Sequence, residues 1–215
     1  MKEDELMKKQ NTKDKILLLA LKLFSTKGFE GTSVRDIARE VGIRESSIYK
    51  HYKNKQAIFD SILAYMDSYY SEKMRTLDMP LGELEKIAKD YGESSIDFLY
   101  QISAALFLMR FKDETEIQFR RMLMIEQFSN SKIKETYKKY FITDVLDYQT
   151  ALFTEMIKQG RFIDCDPKIL ALQFYSPIYT LQSMYEGQFE KEKEVLSILK
   201  EHISQFDSRY SMKGK

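Results

Sequence analysis

Two short helical segments joined by a glycine turn, within Thr32–Phe59, constrain this chain more than any other stretch. The segment is TSVRDIAREVGIRESSIYKHYKNKQAIF. The Ser33 hydroxyl can accept a backbone N–H at the start of the first helix, and Asp36, three residues on, completes a variant capping box. Ile37, Ala38 and Val41 then fall on one side. Gly42 supplies the conformational freedom of a sharp turn, Ile43 re-enters the core, and a second helix is predicted from about Arg44 to His51. Its outward side offers Arg44, Glu45, Ser46, Ser47, Tyr49, Lys50 and His51, a hydrogen-bonding set suited to a DNA groove. Asn54 is a good N-cap for the next helix. Lys55 stands at that helix's positive end, where charge, dipole and free N–H groups together hold a phosphate.

The flanks complete the pattern. KILLLALKLFSTKGF predicts a preceding helix with Ile16, Leu17, Ala20, Leu23 and Phe24 on one face and a stop at Gly28-Phe29. With GTSVRDIA, VGI, SSIYKHY and KNK following in order, residues 12–60 resemble the N-terminal DNA-binding domain of the TetR family of bacterial transcriptional regulators. The resemblance implies that Ser33, Ser47, Tyr49, His51 and Lys55 touch phosphates, which fixes register and carries little sequence information. It gives base reading to the start of the second short helix, at Glu45, Ser46 and Lys50, together with Arg35 from the first. An arginine pairs with guanine O6 and N7, whereas a carboxylate such as Glu45 only accepts and suits cytosine N4. Glu45 is equally suited to pairing with a lysine on its own helix, and both readings stand. Arg44 departs from the family, where a Ser or Thr commonly caps this helix; losing that cap costs about 1 kcal/mol unless the arginine grips DNA instead.

Charge distribution agrees with a nucleic-acid partner. Residues 1–60 carry 13 Lys and Arg against 9 Asp and Glu, while the whole chain has a net charge of only +1. At 215 residues, 31% charged and 43% hydrophobic, the composition is that of a globular protein with two compact parts. The single cysteine, Cys165, excludes an internal disulfide and fits a reducing compartment. MKEDELMKKQ is charged throughout, so a secretory signal is not expected, and cytoplasmic residence is. The longest apolar run, Phe98–Met109, is interrupted by Gln101 and Ser103 and is shorter than the about 20 residues of a membrane helix.

Past Lys55 the periodicity is helical throughout, which makes the fold class all-α, with about nine helices in total. Helices are predicted over 54–77, 81–111, 115–128, 132–159, from the Asp166-Pro167 start to about 186, and over 190–206, with SRYSMKGK as a loose end. The expected organisation is a helix-turn-helix DNA-binding domain over 1–54, a larger helical domain over 55–210 and a tail over 211–215. By the resemblance, the larger domain binds a small molecule and dimerises through the last two helices, LALQFYSPIYTLQSMY and VLSILKEHISQF. A homodimer demands a roughly palindromic double-stranded operator. Aromatic and methionine side chains that can line an adaptable apolar pocket include Phe98, Phe107, Phe111, Met122, Phe128, Tyr137, Phe153, Tyr175 and Tyr179; for each one taken alone, ordinary helical core is the leading reading. Pro177 should kink its helix, beside a pocket or on a dimer surface.

Enzyme chemistry finds no support. The two histidines, His51 and His202, lack a glutamate three residues before them, and HExxH, GxSxG and glycine-rich phosphate loops are absent. No metal site and no cofactor are expected. The expectation is a repressor released from its operator by a small, largely apolar effector. The alternative is a DNA-binding structural or cell-cycle factor governed by a protein partner.

Overall fold

A computed structural model describes residues 11–76, 84–93 and 96–212. Among them the chain forms eleven α-helical segments, a π turn and a short 3-10 turn, with one isolated β-bridge and no strand. Packing divides the chain into two units, one comprising residues up to Thr76 together with Glu114–Tyr137, the other Leu77–Asp113 and the remainder from Lys138. By packing, the helix that begins at Lys55 joins the first unit, beyond the 54/55 boundary that the motif suggests.

In the first unit α1 (Thr12–Lys27) starts under the Asn11 side chain, which accepts the Asp14 N–H at 3.0 Å. Its Ile16, Leu17, Ala20, Leu21 and Phe24 are buried, as the spacing predicts. α2 (Val34–Val41) and α3 (Glu45–Ile48) follow, then α4 (Lys55–Thr76), α7 (Glu114–Glu126) and most of α8 (Ser131–Lys138). α7 lies along α1. Tyr70 of α4 hydrogen-bonds Glu116 of α7 and packs against Phe119.

The second unit holds α5 (Leu84–Glu93), α6 (Ile96–Lys112), α9 (Asp144–Lys158), α10 (Pro167–Met184) and α11 (Glu192–Tyr210). One apolar cluster gathers Leu152, Phe153, Phe162, Leu170 and Phe206. Another gathers Phe107, Phe111, Tyr175, Leu181, Val195 and Leu199. Asp166 caps α10 by accepting the Lys168 N–H at 2.8 Å, with Pro167 at the first position, as expected.

Of the helix predicted over 81–111, the described residues are helical as α5 and α6, and residues 81–83, 94 and 95 lie outside the described set. The structure differs from the expected elements in three places. The helix predicted over 132–159 contains a π turn at Lys139–Thr143. The turn frees carbonyls that other groups take up: the buried Tyr175 hydroxyl donates to the Phe141 carbonyl at 2.8 Å, and Arg110 donates to the Tyr140 carbonyl at 3.4 Å. The second short helix spans Glu45–Ile48 rather than 44–51, because Lys50 and His51 donate three residues back, to the Ser47 and Ile48 carbonyls, and tighten the chain out of α geometry. The chain end is held as far as Met212: Ile163 N–H donates to the Tyr210 carbonyl at 2.9 Å and Met212 N–H to the Arg161 carbonyl at 2.8 Å, with Ser211 buried. Residues 213–215 lie outside the described set.

Tyr175→Phe should lower the unfolding free energy by about 1 kcal/mol by leaving a buried carbonyl short of a donor. A urea midpoint unchanged from the parent would show that the hydroxyl does not support the π turn.

Candidate nucleic-acid interface

The first short helix is built as its sequence requires. The Ser33 hydroxyl accepts the Asp36 N–H at 3.0 Å, and the Asp36 carboxylate accepts both the Ser33 N–H at 3.1 Å and the Ser33 hydroxyl at 2.6 Å. The hydrogen bond from the Ser33 side chain, then that from its backbone, and the nearby Arg39 guanidinium hold the Asp36 carboxyl below the ordinary carboxylate range. Gly42 ends the helix in the left-handed region (φ +80°), and its N–H and that of Ile43 both return to the Ala38 carbonyl at 3.0 Å. That geometry turns the chain sharply into α3, whose Ile48 is buried. Arg44 occupies the N-cap position and makes no side-chain cap, as its chemistry predicts.

Behind α3, Tyr52 is buried with its hydroxyl donating to the Lys13 carbonyl at 3.2 Å. Burial, with Asp14 nearby, pushes this phenol up to about 12, so it keeps the proton it donates. Asn54 accepts the Ala57 N–H at 2.8 Å and caps α4, as predicted.

The ten residues assigned to DNA from the sequence lie on this short run of elements. Ser33, Arg35, Arg44, Glu45, Ser46, Tyr49, Lys50 and His51 are exposed; Ser47 and Lys55 are half-buried. Tyr49 has 51% of its surface in solvent, and its hydroxyl approaches Glu45 Oε1 at only 3.5 Å. The charges are asymmetric in their engagement. Asp36 pairs with Arg39, and Glu40 with Lys22 at 3.0 Å. Among the described residues, Arg35, Arg44, Lys50 and Lys53 have neither an ion pair nor a side-chain hydrogen bond within the chain. The surface therefore presents uncommitted cations beside the paired carboxylates of Asp36 and Glu40, with Glu45 as its one carboxylate outside an ion pair among the ten assigned residues, a balance that favours phosphate. The Ser33 proton, by contrast, is given to Asp36.

Lys55 is anchored more deeply than a motif reveals. Its ammonium donates to the Phe29 carbonyl at 2.5 Å and lies 4.1 Å from the centre of the Phe29 ring. The N–H of Phe29 donates in turn to Glu126 Oε1 of α7 at 2.7 Å. Gly28 has φ +74°, a conformation that favours glycine, and a Cβ there would sit a tight 3.1 Å from Glu126 Oε1 and 3.3 Å from Ile125 of α7. The completely buried Thr32 closes this loop by donating to the Gly28 carbonyl at 2.8 Å. Glu126 was missed from sequence because it is 97 residues from its partner and no local pattern marks it.

The nine candidate effector contacts are divided between the two units. Met122, Phe128 and Tyr137 belong to the first unit, Phe128 being 89% exposed, while the Phe98 side chain lies outside the described set. Phe107, Phe111 and Tyr175 are core residues of the second unit, with Tyr179 packed at the cluster's edge. Of the eight whose side chains are described, Phe153 lines a cavity of about 110 Å³ in that unit.

Known proteins match this geometry. The family model described as bacterial regulatory proteins, tetR family, matches residues 16–62. The negative transcriptional regulator IcaR of the biofilm operon icaADBC from Staphylococcus aureus is 30% identical over 196 residues, covering 89% of this chain and 94% of the relative. The chain belongs to the TetR family. It is a transcriptional regulator rather than an enzyme. The IcaR of Staphylococcus epidermidis is 28% identical over 147 residues, 68% of each chain. A TetR regulator from Chloroflexus aurantiacus superposes with a TM-score of 0.68 over 93% of this chain and 96% of its own at 15% identity; the SmeT–triclosan complex does so with 0.63 over 95% and 94% at 19% identity. Those two likenesses establish the shared all-helical fold of this TetR-family member. Among its described residues no helix is long and apolar enough to cross a membrane.

Two outcomes follow for this regulator. Glu126→Gln should weaken DNA binding without touching DNA, by loosening the Phe29 peptide that holds Lys55, and unchanged affinity in an anisotropy titration would refute that role. Because Asp36 is held below its ordinary value of 3.8, its contribution to stability is present above that range and lost as pH falls through the lower folded value. The stability gap between the parent and Asp36→Asn, read from melting curves, should therefore narrow on acidification and stay constant between pH about 6 and 8.

Proposed function

We propose that the chain is a cytoplasmic, ligand-responsive repressor that binds a palindromic operator as a homodimer and is released by a small, largely apolar effector. The observation that carries the reading is the set of uncommitted cations, Arg35, Arg44, Lys50 and Lys53, displayed around a short helix fixed from behind by Ile48 and Tyr52. Lys53, Tyr49, His51, Ser47 and Lys55 serve the phosphates, and Arg35, Glu45, Ser46 and Lys50 the base edges. Ser33 contributes chiefly by its cap. The 30% identity to IcaR, named a negative regulator, supports repression.

Dimerisation is supported by an apolar stripe left in solvent on the last two helices. Ile169, Leu172 and Met184 on α10 and Ile198 on α11 are each 41% or more exposed. Pro177 lines an outer groove with Leu172 and His202, which favours its dimer-surface role over a pocket role. The effector reading draws on the cavity of the second unit and on SmeT, a protein of the same fold named as a triclosan complex. An effector that prefers the conformation with misplaced DNA-reading helices weakens operator binding by its own preference factor.

Tyr49→Phe should weaken binding to all duplexes alike, whereas Lys50→Ala should change which sequence is preferred; equal losses on operator and random duplex for Lys50→Ala would remove it from base reading. Leu172→Glu should give a folded monomer by sedimentation, with affinity for a two-half-site duplex reduced by about a hundredfold or more as avidity is lost. A dimer with full affinity would place the interface elsewhere.

A further inference from the structure

We infer that the cavity of the second unit selects a neutral, ring-sized apolar molecule carrying one hydrogen-bond donor, and that Gln149 accepts that donor. The inference rests on the effector-responsive reading above and gives the effector a chemical class.

Size comes first. The cavity encloses about 110 Å³. Pockets for drug-sized ligands occupy about 300–1,000 Å³, whereas an apolar cavity of about 150 Å³ takes up benzene, so a single ring is the scale that fits here. Polarity comes second. Leu99, Ile102 and Leu106 of α6 face Leu152, Phe153 and Met156 of α9 across it, a lining that favours an uncharged guest.

Gln149 breaks that lining. It stands on α9 three residues after Leu146, three before Leu152 and four before Phe153, where helical spacing alone calls for another apolar side chain. It lines the cavity, and its side-chain oxygen is buried with no hydrogen-bond partner. An acceptor left in that condition is destabilising, and most buried side-chain polar atoms in native proteins have a partner. A guest O–H or N–H removes the cost on binding and makes the site discriminate against the same guest without it. Ser103 and Asp207 also line the cavity. A water held among these polar groups, or a cationic guest drawn to Asp207, are the competing occupants.

The test is titration of the full-length protein with phenol, toluene and benzylamine, followed by amide chemical shifts in the absence of DNA. Phenol and toluene differ mainly in the donor. Phenol should bind saturably and about tenfold or more tighter than toluene, and the ratio should fall to near one in Gln149→Leu and in Gln149→Met. Both variants should melt no lower than the parent, since each removes an unpaired acceptor. Equal affinities for phenol and toluene in the parent, tighter binding of benzylamine, or no saturable binding of any probe would overturn the inference, the last being the result for a cavity that keeps its water. A protein that binds phenol through Gln149 yet holds its operator when loaded contradicts effector release and leaves the site standing. One that releases its operator to another compound while ignoring phenol overturns the site and leaves the repressor reading standing.

Discussion

The peptide unit of Phe29 is gripped at both ends, its N–H by Glu126 and its carbonyl by Lys55. That grip fixes the place of Lys55 at the start of α4. Lys55 begins α4 immediately after the Asn54 cap, and the turn that precedes it carries Tyr49, Lys50 and His51. The ring of Phe29 packs against Phe24 and Phe59 with centroids 5.5 and 5.4 Å away, so the same residue that is held by polar bonds also closes the apolar core of the first unit. Charge, ring and peptide are fixed together in a half-buried place, where an ammonium over an aromatic face is worth more than in open water.

This arrangement makes α7 a structural member of the DNA-binding unit although it is remote in sequence. α7 follows α6 after Asp113 alone, and α6 lines the cavity that holds Gln149. Chain continuity therefore joins the helix that lines this cavity to the helix that carries Glu126. Coupling of this kind needs an element with two arrangements that both ligands bias. The Glu126–Phe29 hydrogen bond is the contact through which α7 reaches the Lys55 anchor.

Local chemistry was legible in the sequence wherever a residue type has one conformational use. The Ser33–Asp36 box, the left-handed Gly42, the Asn54 cap and the Asp166-Pro167 start all stand where their side chains demand. The early end of α3 was hidden because Tyr49, Lys50 and His51 are good enough helix residues, and the tightening comes from backbone bonds to Ser47 and Ile48. The π turn was hidden for a similar reason: its freed carbonyls are answered by Tyr175 and Arg110, which lie far away in the chain. Aromatic content located the second core but not the cavity within it. Of nine candidates, Phe153 lines it, whereas the informative residue, Gln149, is a polar side chain in an apolar stripe.

Selection of bound duplexes from a random double-stranded pool, at about 150 mM salt where non-specific attraction is largely screened, tests the central claim most directly. A two-fold symmetric sequence should be enriched, with half-sites about one helical turn or more apart, and an effector should release it. Failure of a folded, dimeric sample to enrich any sequence, with and without phenol present, would contradict the account.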